Sequence, residues 1–141
     1  MNLNKQANHI SRDIIVIGVS AGGLLPLKDM VSNLSPTLNA TIFIVQHIPS
    51  YAESNLAQLL NDASNLPVIA AENGKKFEKG KIYCAVSDKH LMLEDDTMLL
   101  SKGPKENRFR PSIDALFRSA AYEYRERVIG VVLSGALNDG T

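Results

Sequence analysis

Apolar positions follow two rhythms along this chain. Near-continuous apolar runs rich in β-branched residues occupy residues 13–19, 41–46 and 128–133 and predict core strands, the first buried on both faces. Between them the apolar residues recur at helical spacing. Leu27, Met30, Val31 and Leu34 form one such stripe, with Pro26 suited to a first turn and Ser35-Pro36 as a stop. Leu56, Leu59, Leu60 and Ala63 form a second, behind a Ser50/Glu53 capping box. Ile113, Leu116, Phe117, Ala120, Ala121 and Tyr124 form a third, with Ser112 as its cap and Asp114 in its positive first turn. Strand, helix, strand, helix implies parallel strands joined by crossover helices.

The middle of the chain breaks that rhythm. Short strands are predicted at 67–71, 81–86, 90–94 and 97–101, with Ser87-Asp88 and Asp95-Asp96 as turns between the last three, which reads as hairpins. Residues 103–111 form a charged loop. The expected fold is therefore a doubly wound, mostly parallel α/β sheet with flanking helices and a small antiparallel hairpin insertion.

Size and composition narrow the setting. A length of 141 residues predicts one domain, placed at 13–141 behind a polar, flexible lead-in at 1–12. A 45% hydrophobic content supports a real core. Fifteen basic residues balance fifteen acidic ones, so bulk electrostatics predict no nucleic-acid partner. Apolar runs are too short to insert in a membrane, and the N-terminus lacks a signal-peptide core. The single cysteine, Cys84, makes the cytoplasm the default compartment and reads as a small buried hydrophobe.

Candidate chemistry gathers where strands end. Residues 14–23 read Ile-Ile-Val-Ile-Gly-Val-Ser-Ala-Gly-Gly: a buried strand that delivers Ser20, then glycines that turn the backbone and free N–H groups at a helix start. His47 follows the second strand and Asp139 the last. The carboxyl edge of a parallel sheet is where ligands and reactions collect. A hydroxyl needs a base, and an imidazole base needs a carboxylate to fix its tautomer. Residues 18–22 match the G-x-S-x-G elbow of α/β-hydrolases, yet the serine follows the first strand and the order is Ser, His, Asp, so that fold is rejected. A dinucleotide fingerprint fits poorly because Ser20 replaces its second glycine, and no phosphate-binding Gly-Lys-Ser/Thr is present. No metal cluster or cofactor motif is read.

Six stretches in order give a specific resemblance: residues 18–23 (GVSAGG), 45–49 (VQHIP), 82–85 (IYCA), 88–91 (DKHL), 107–114 (NRFRPSID) and 133–140 (LSGALNDG). Together they resemble the catalytic domain of the chemotaxis protein-glutamate methylesterase family, CheB. The resemblance implies hydrolysis of methyl esters on glutamate side chains of methyl-accepting chemotaxis receptors, with glutamine deamidation in some members. It implies Ser20 as nucleophile, His47 as base, Asp139 as orienter, and backbone N–H groups of Ala21 and Ala136 as an oxyanion hole, worth roughly 3 kcal/mol per donor. Its implied partners are the cytoplasmic parts of those receptors and other chemosensory proteins, and acidic receptor segments would suit Arg108 and Arg110 as docking residues. Two departures stand out: Ala21 where threonine is frequent, and Gly135-Ala136-Leu137 in place of Gly-Met-Gly. The Asn138-Asp139-Gly140 loop predicts a further element, so the sequence reads as stopping short of its domain end, with weak esterase activity expected and no receiver domain ahead of Asp13. The competing expectation is an inactive receptor- or partner-binding module of the same fold.

Overall fold

In the computed structural model, residues 11–20, 22–47, 55–106 and 109–134 are described. Five strands form one parallel sheet: β1 (Ile14–Val19), β2 (Thr41–Gln46), β3 (Val68–Ala70), β4 (Ile82–Cys84) and β7 (Val128–Leu133), in the order β3-β4-β2-β1-β7. β5 (His90–Glu94) and β6 (Thr97–Ser101) pair antiparallel as a separate hairpin. Helices α1 (Leu24–Ser32) and α2 (Leu56–Ala63) cover one face, while α3 (Ile113–Tyr124) and the hairpin cover the other. The doubly wound expectation holds.

Strand alternation sorts the core. Ile14, Val16, Phe43, Val45 and Tyr83 face α3 and the hairpin, where Leu91, Leu93, Met98, Leu116 and Ala120 meet them. Ile17, Val19, Ile42, Ile44, Ile82 and Cys84 face the other way, onto Leu27, Val31, Leu56 and Leu60. Apolar side chains alternating to both faces are what a sheet covered on both sides requires. Burial in this layer pushes the Cys84 thiol up to about 12, so it packs as a hydrophobe.

Three expectations are corrected. Residues 81–86 do not join a hairpin. Ile82, Tyr83 and Cys84 are buried on both faces and pair parallel with β2 and β3, so only the Asp95-Asp96 turn makes a hairpin. Both of those aspartates take left-handed backbone angles, φ 53° and 57°, as a tight two-residue turn requires. On α3, Ala121 is exposed and Ala115 is buried in its place. On α2, Leu59 is exposed while Leu56 and Leu60 carry the packing. β7 is the edge of the described sheet, with Ile129 and Val132 exposed there. The capping box at Ser50 and Glu53 lies outside the described residues, and α2 begins after Asn55. The cap on α3 is as expected: the Ala115 N–H donates to Ser112 Oγ at 3.0 Å.

Candidate active site at the carboxyl edge of the sheet

β1 and β2 run in parallel register, with Val19 opposite Gln46. The next residues, Ser20 and His47, therefore leave the sheet side by side, one strand spacing of about 5 Å apart. Backbone bonds fasten both. The His47 N–H donates to the Val19 carbonyl at 2.8 Å, and the Ser20 N–H donates to the Leu133 carbonyl at 2.9 Å. Three neighbouring strands thus support the hydroxyl and the imidazole from below. The chain then turns: the Gly23 N–H donates to the Ser20 carbonyl at 2.9 Å, across Gly22 at φ 83°. That angle suits glycine. A Cβ on Gly23 would meet the Leu133 carbonyl oxygen at 2.6 Å, so the close approach of this turn to β7 excludes a side chain.

His47 is half-buried. Its ring lies flat against Phe109, with centroids 3.9 Å apart and planes 5° from parallel. Burial lowers its pKa from the ordinary histidine value, partly opposed by the negative charge of Asp114. Burial thus favours the uncharged ring, the form a general base needs. Beside it lies a cavity of about 240 Å³ lined by His47, Glu106, Ser112, Ile113, Asp114 and Val132. Ser20 stands outside that wall, on the neighbouring strand end. Gly18 shapes the cavity from beneath: a Cβ there would sit 2.5 Å from Ile113 Cγ2, so only glycine lets α3 settle this close to β1.

The loop before α3 is held by a buried histidine and two ion pairs. The Ser112 N–H donates to His90 Nδ1 at 3.2 Å, which leaves Nε2 to donate to the Pro104 carbonyl at 2.7 Å. His90 is buried at 3% exposure and acts as a strut. Arg110 is also engaged. Its Nε donates to Asp88 Oδ1 at 2.9 Å, its Nη1 donates to the Gly103 carbonyl at 3.2 Å, and its side chain is 19% exposed. Arg110 foremost, and Lys102 with it, hold the Asp88 carboxyl below the usual carboxylate range.

Of the residues singled out from sequence, the fold brings Ser20 and His47 to adjacent strand ends. Asp139, Ala21, Ala136 and Arg108 lie outside the described residues. Sequence reasoning passed over Phe109 as a contact of His47. The signal available was its place just ahead of the Ser112 cap, at the same edge of the sheet as the imidazole.

These features define a class: a doubly wound α/β domain carrying a serine and a histidine on neighbouring strand ends, the histidine lining a cavity formed with the start of a helix. The chain belongs to the CheB methylesterase family, whose family model matches residues 15–141. A relative from Leptospira interrogans is 38% identical over 129 residues, 91% of this chain and 67% of that one. Protein-glutamate methylesterase/protein-glutamine glutaminase 2 of Methanosarcina acetivorans is 38% identical over 137 residues, covering 92% of this chain but 38% of its own length. The crystal structure of the Thermotoga maritima CheB methylesterase catalytic domain superposes with a TM-score of 0.81 at 36% identity, covering 94% of this chain and 72% of that one. The resemblance read from the six motifs and the matched family agree. No described helix is long and apolar enough to cross a membrane.

Proposed function

We propose that this chain hydrolyses methyl esters of glutamate side chains on the cytoplasmic parts of methyl-accepting chemotaxis receptors, with Ser20 as nucleophile and His47 as base. One observation carries the reading: in a member of this methylesterase family, the β1/β2 register sets a serine and a histidine on adjacent strand ends. His47 takes the Ser20 hydroxyl proton as Oγ bonds to the ester carbonyl carbon. The tetrahedral oxyanion collapses, the C–O bond to methanol breaks, and the imidazolium gives its proton to the departing methanol. Water then attacks the acyl-enzyme with His47 again as base, releasing the glutamate and restoring Ser20. Asp139 is the proposed orienter of His47, and the N–H groups of Ala21 and Ala136 the proposed donors to the oxyanion. The same steps on a glutamine amide release ammonia, the second activity in the relatives' name.

Arg108 remains a proposed docking residue for acidic receptor segments. Arg110 is better suited to bracing, since Asp88 already occupies its guanidinium. The competing reading, a receptor-binding module without catalysis, predicts receptor binding and no methanol. Methanol release from a methylated receptor fragment tests the two directly. The wild-type protein should release methanol, and Ser20→Ala should lower the rate by at least about a thousandfold. Equal release by both proteins would refute Ser20 as the nucleophile.

A further inference from the structure

We propose that Phe109 is a positioning residue for His47, fixing the plane of the imidazole so that its ring nitrogens point along the sheet edge toward Ser20 and its orienting partner. The inference rests on the assignment of Ser20 and His47 as nucleophile and base. Its geometry is independent of that assignment. The two rings are 3.9 Å apart at centroid and 5° from parallel, so Phe109 covers one face of the imidazole. Stacking of this kind resists tilting of the ring out of its plane, yet leaves both in-plane nitrogens open to hydrogen bonds. A base that must take a proton from one atom and return it to another needs that freedom and that restraint together.

Phe109 is itself held in place. The Glu106 N–H donates to the Phe109 carbonyl at 3.0 Å, and the Phe109 N–H donates back to the Glu106 carbonyl at 2.9 Å. The Glu106 carboxylate receives Arg118 Nη1 at 3.2 Å and Nη2 at 2.8 Å, fastening this closed turn to the outer side of α3. The next residue, Arg110, is anchored to Asp88. The ring is thus fixed from both sides along the chain, through a helix whose first turn also lines the His47 cavity. Among the described residues, the charged groups that line the cavity with His47 are Asp114 on α3 and Glu106 on the loop. Phe109 contributes an uncharged face to the imidazole.

The test compares Phe109→Leu and Phe109→Tyr with the wild type, in the whole protein. Three measurements are made: steady-state methanol release, thermal melting, and the NMR shifts of the His47 ring protons. In the wild type those protons lie beneath an aromatic face and should resonate upfield of an ordinary histidine. Phe109→Leu should abolish that shift and lower kcat by about tenfold or more, with KM within about twofold of the wild type. Phe109→Tyr keeps the ring and should retain both the shift and kcat. An unchanged kcat in folded Phe109→Leu would overturn the inference, as would a raised KM at constant kcat, which would make Phe109 part of the substrate wall. If Phe109→Leu is unfolded at the assay temperature, the tyrosine variant decides: a folded variant with the shift intact and kcat lost also overturns it. A wild-type protein that keeps the upfield shift but releases no methanol refutes the serine-histidine reading instead.

Discussion

His47 is poised by its surroundings rather than by its identity. Burial against Phe109 and α3 disfavours the charged ring, and Asp114 offsets part of that effect. The net direction is downward, so the base form persists below the ordinary histidine value of about 6.5. The acid limb of kcat/KM for ester hydrolysis should report that balance together with the raising effect of the Asp139 carboxylate proposed to face the ring. Removing the Asp114 charge in Asp114→Asn should move the limb lower, since a raising influence is lost. A limb that stays in place or moves up in Asp114→Asn would contradict this account of the site. The residue scale is also where sequence reading reached least. The side chains Ser20 and His47 stand out because each follows an apolar run directly. Phe109 does not, because its contact with His47 depends on how a loop held by Arg110, Glu106 and His90 folds back over the sheet edge. Those pairings join residues up to 22 positions apart in the chain, with no periodic signature to announce them.

At the scale of elements, the apolar patterns determined most of what could be read. β1 and β2 were legible because both faces are covered and apolar residues run without interruption. β4 was misassigned to a hairpin because a three-residue segment gives too little pattern to separate a parallel core strand from a hairpin arm. Composition records what a strand can tolerate on each face, and the neighbours decide what it receives. The packing of α3 on β1 makes a sharp prediction. Gly18→Ala places a Cβ within 2.8 Å of three Ile113 side-chain carbons. Ile113 is β-branched and cannot rotate away freely. The substitution should destabilise the fold by about 1–3 kcal/mol and distort the cavity wall beside His47. Chemical denaturation of wild type and variant checks it, and equal midpoints would show that α3 has room to shift.

Across the whole molecule, the proposed chemistry lies at the carboxyl edge of the sheet, while the opposite edge is secured by a buried carboxylate. Asp13, just before β1, is 4% exposed and receives Arg127 Nε at 2.9 Å and Nη2 at 3.1 Å, with Lys79 Nζ at 3.1 Å. Arg127, just before β7, also lies over the Tyr124 ring at 5.1 Å. One side chain thereby joins the entries of two neighbouring strands. The Arg127 bond, foremost, holds the Asp13 carboxyl below the usual aspartate range despite its burial. Because the folded-state pKa is depressed, this contribution is present above the unfolded-state value and is lost as pH falls through the folded one. Asp13→Asn should cost about 1–2 kcal/mol at neutral pH, less than a fully buried pair because Arg127 and Lys79 are partly solvated. The difference from wild type should close in acid; a gap that persists at low pH would contradict the ionic account. The central claim concerns the other edge, where Ser20 is read as a nucleophile activated by His47. The most direct measurement is reaction with a fluorophosphonate probe, mapped by peptide mass spectrometry. The account predicts a single adduct on Ser20 that is absent in Ser20→Ala and strongly slowed in His47→Ala. Labelling that survives Ser20→Ala at an unchanged rate would contradict it.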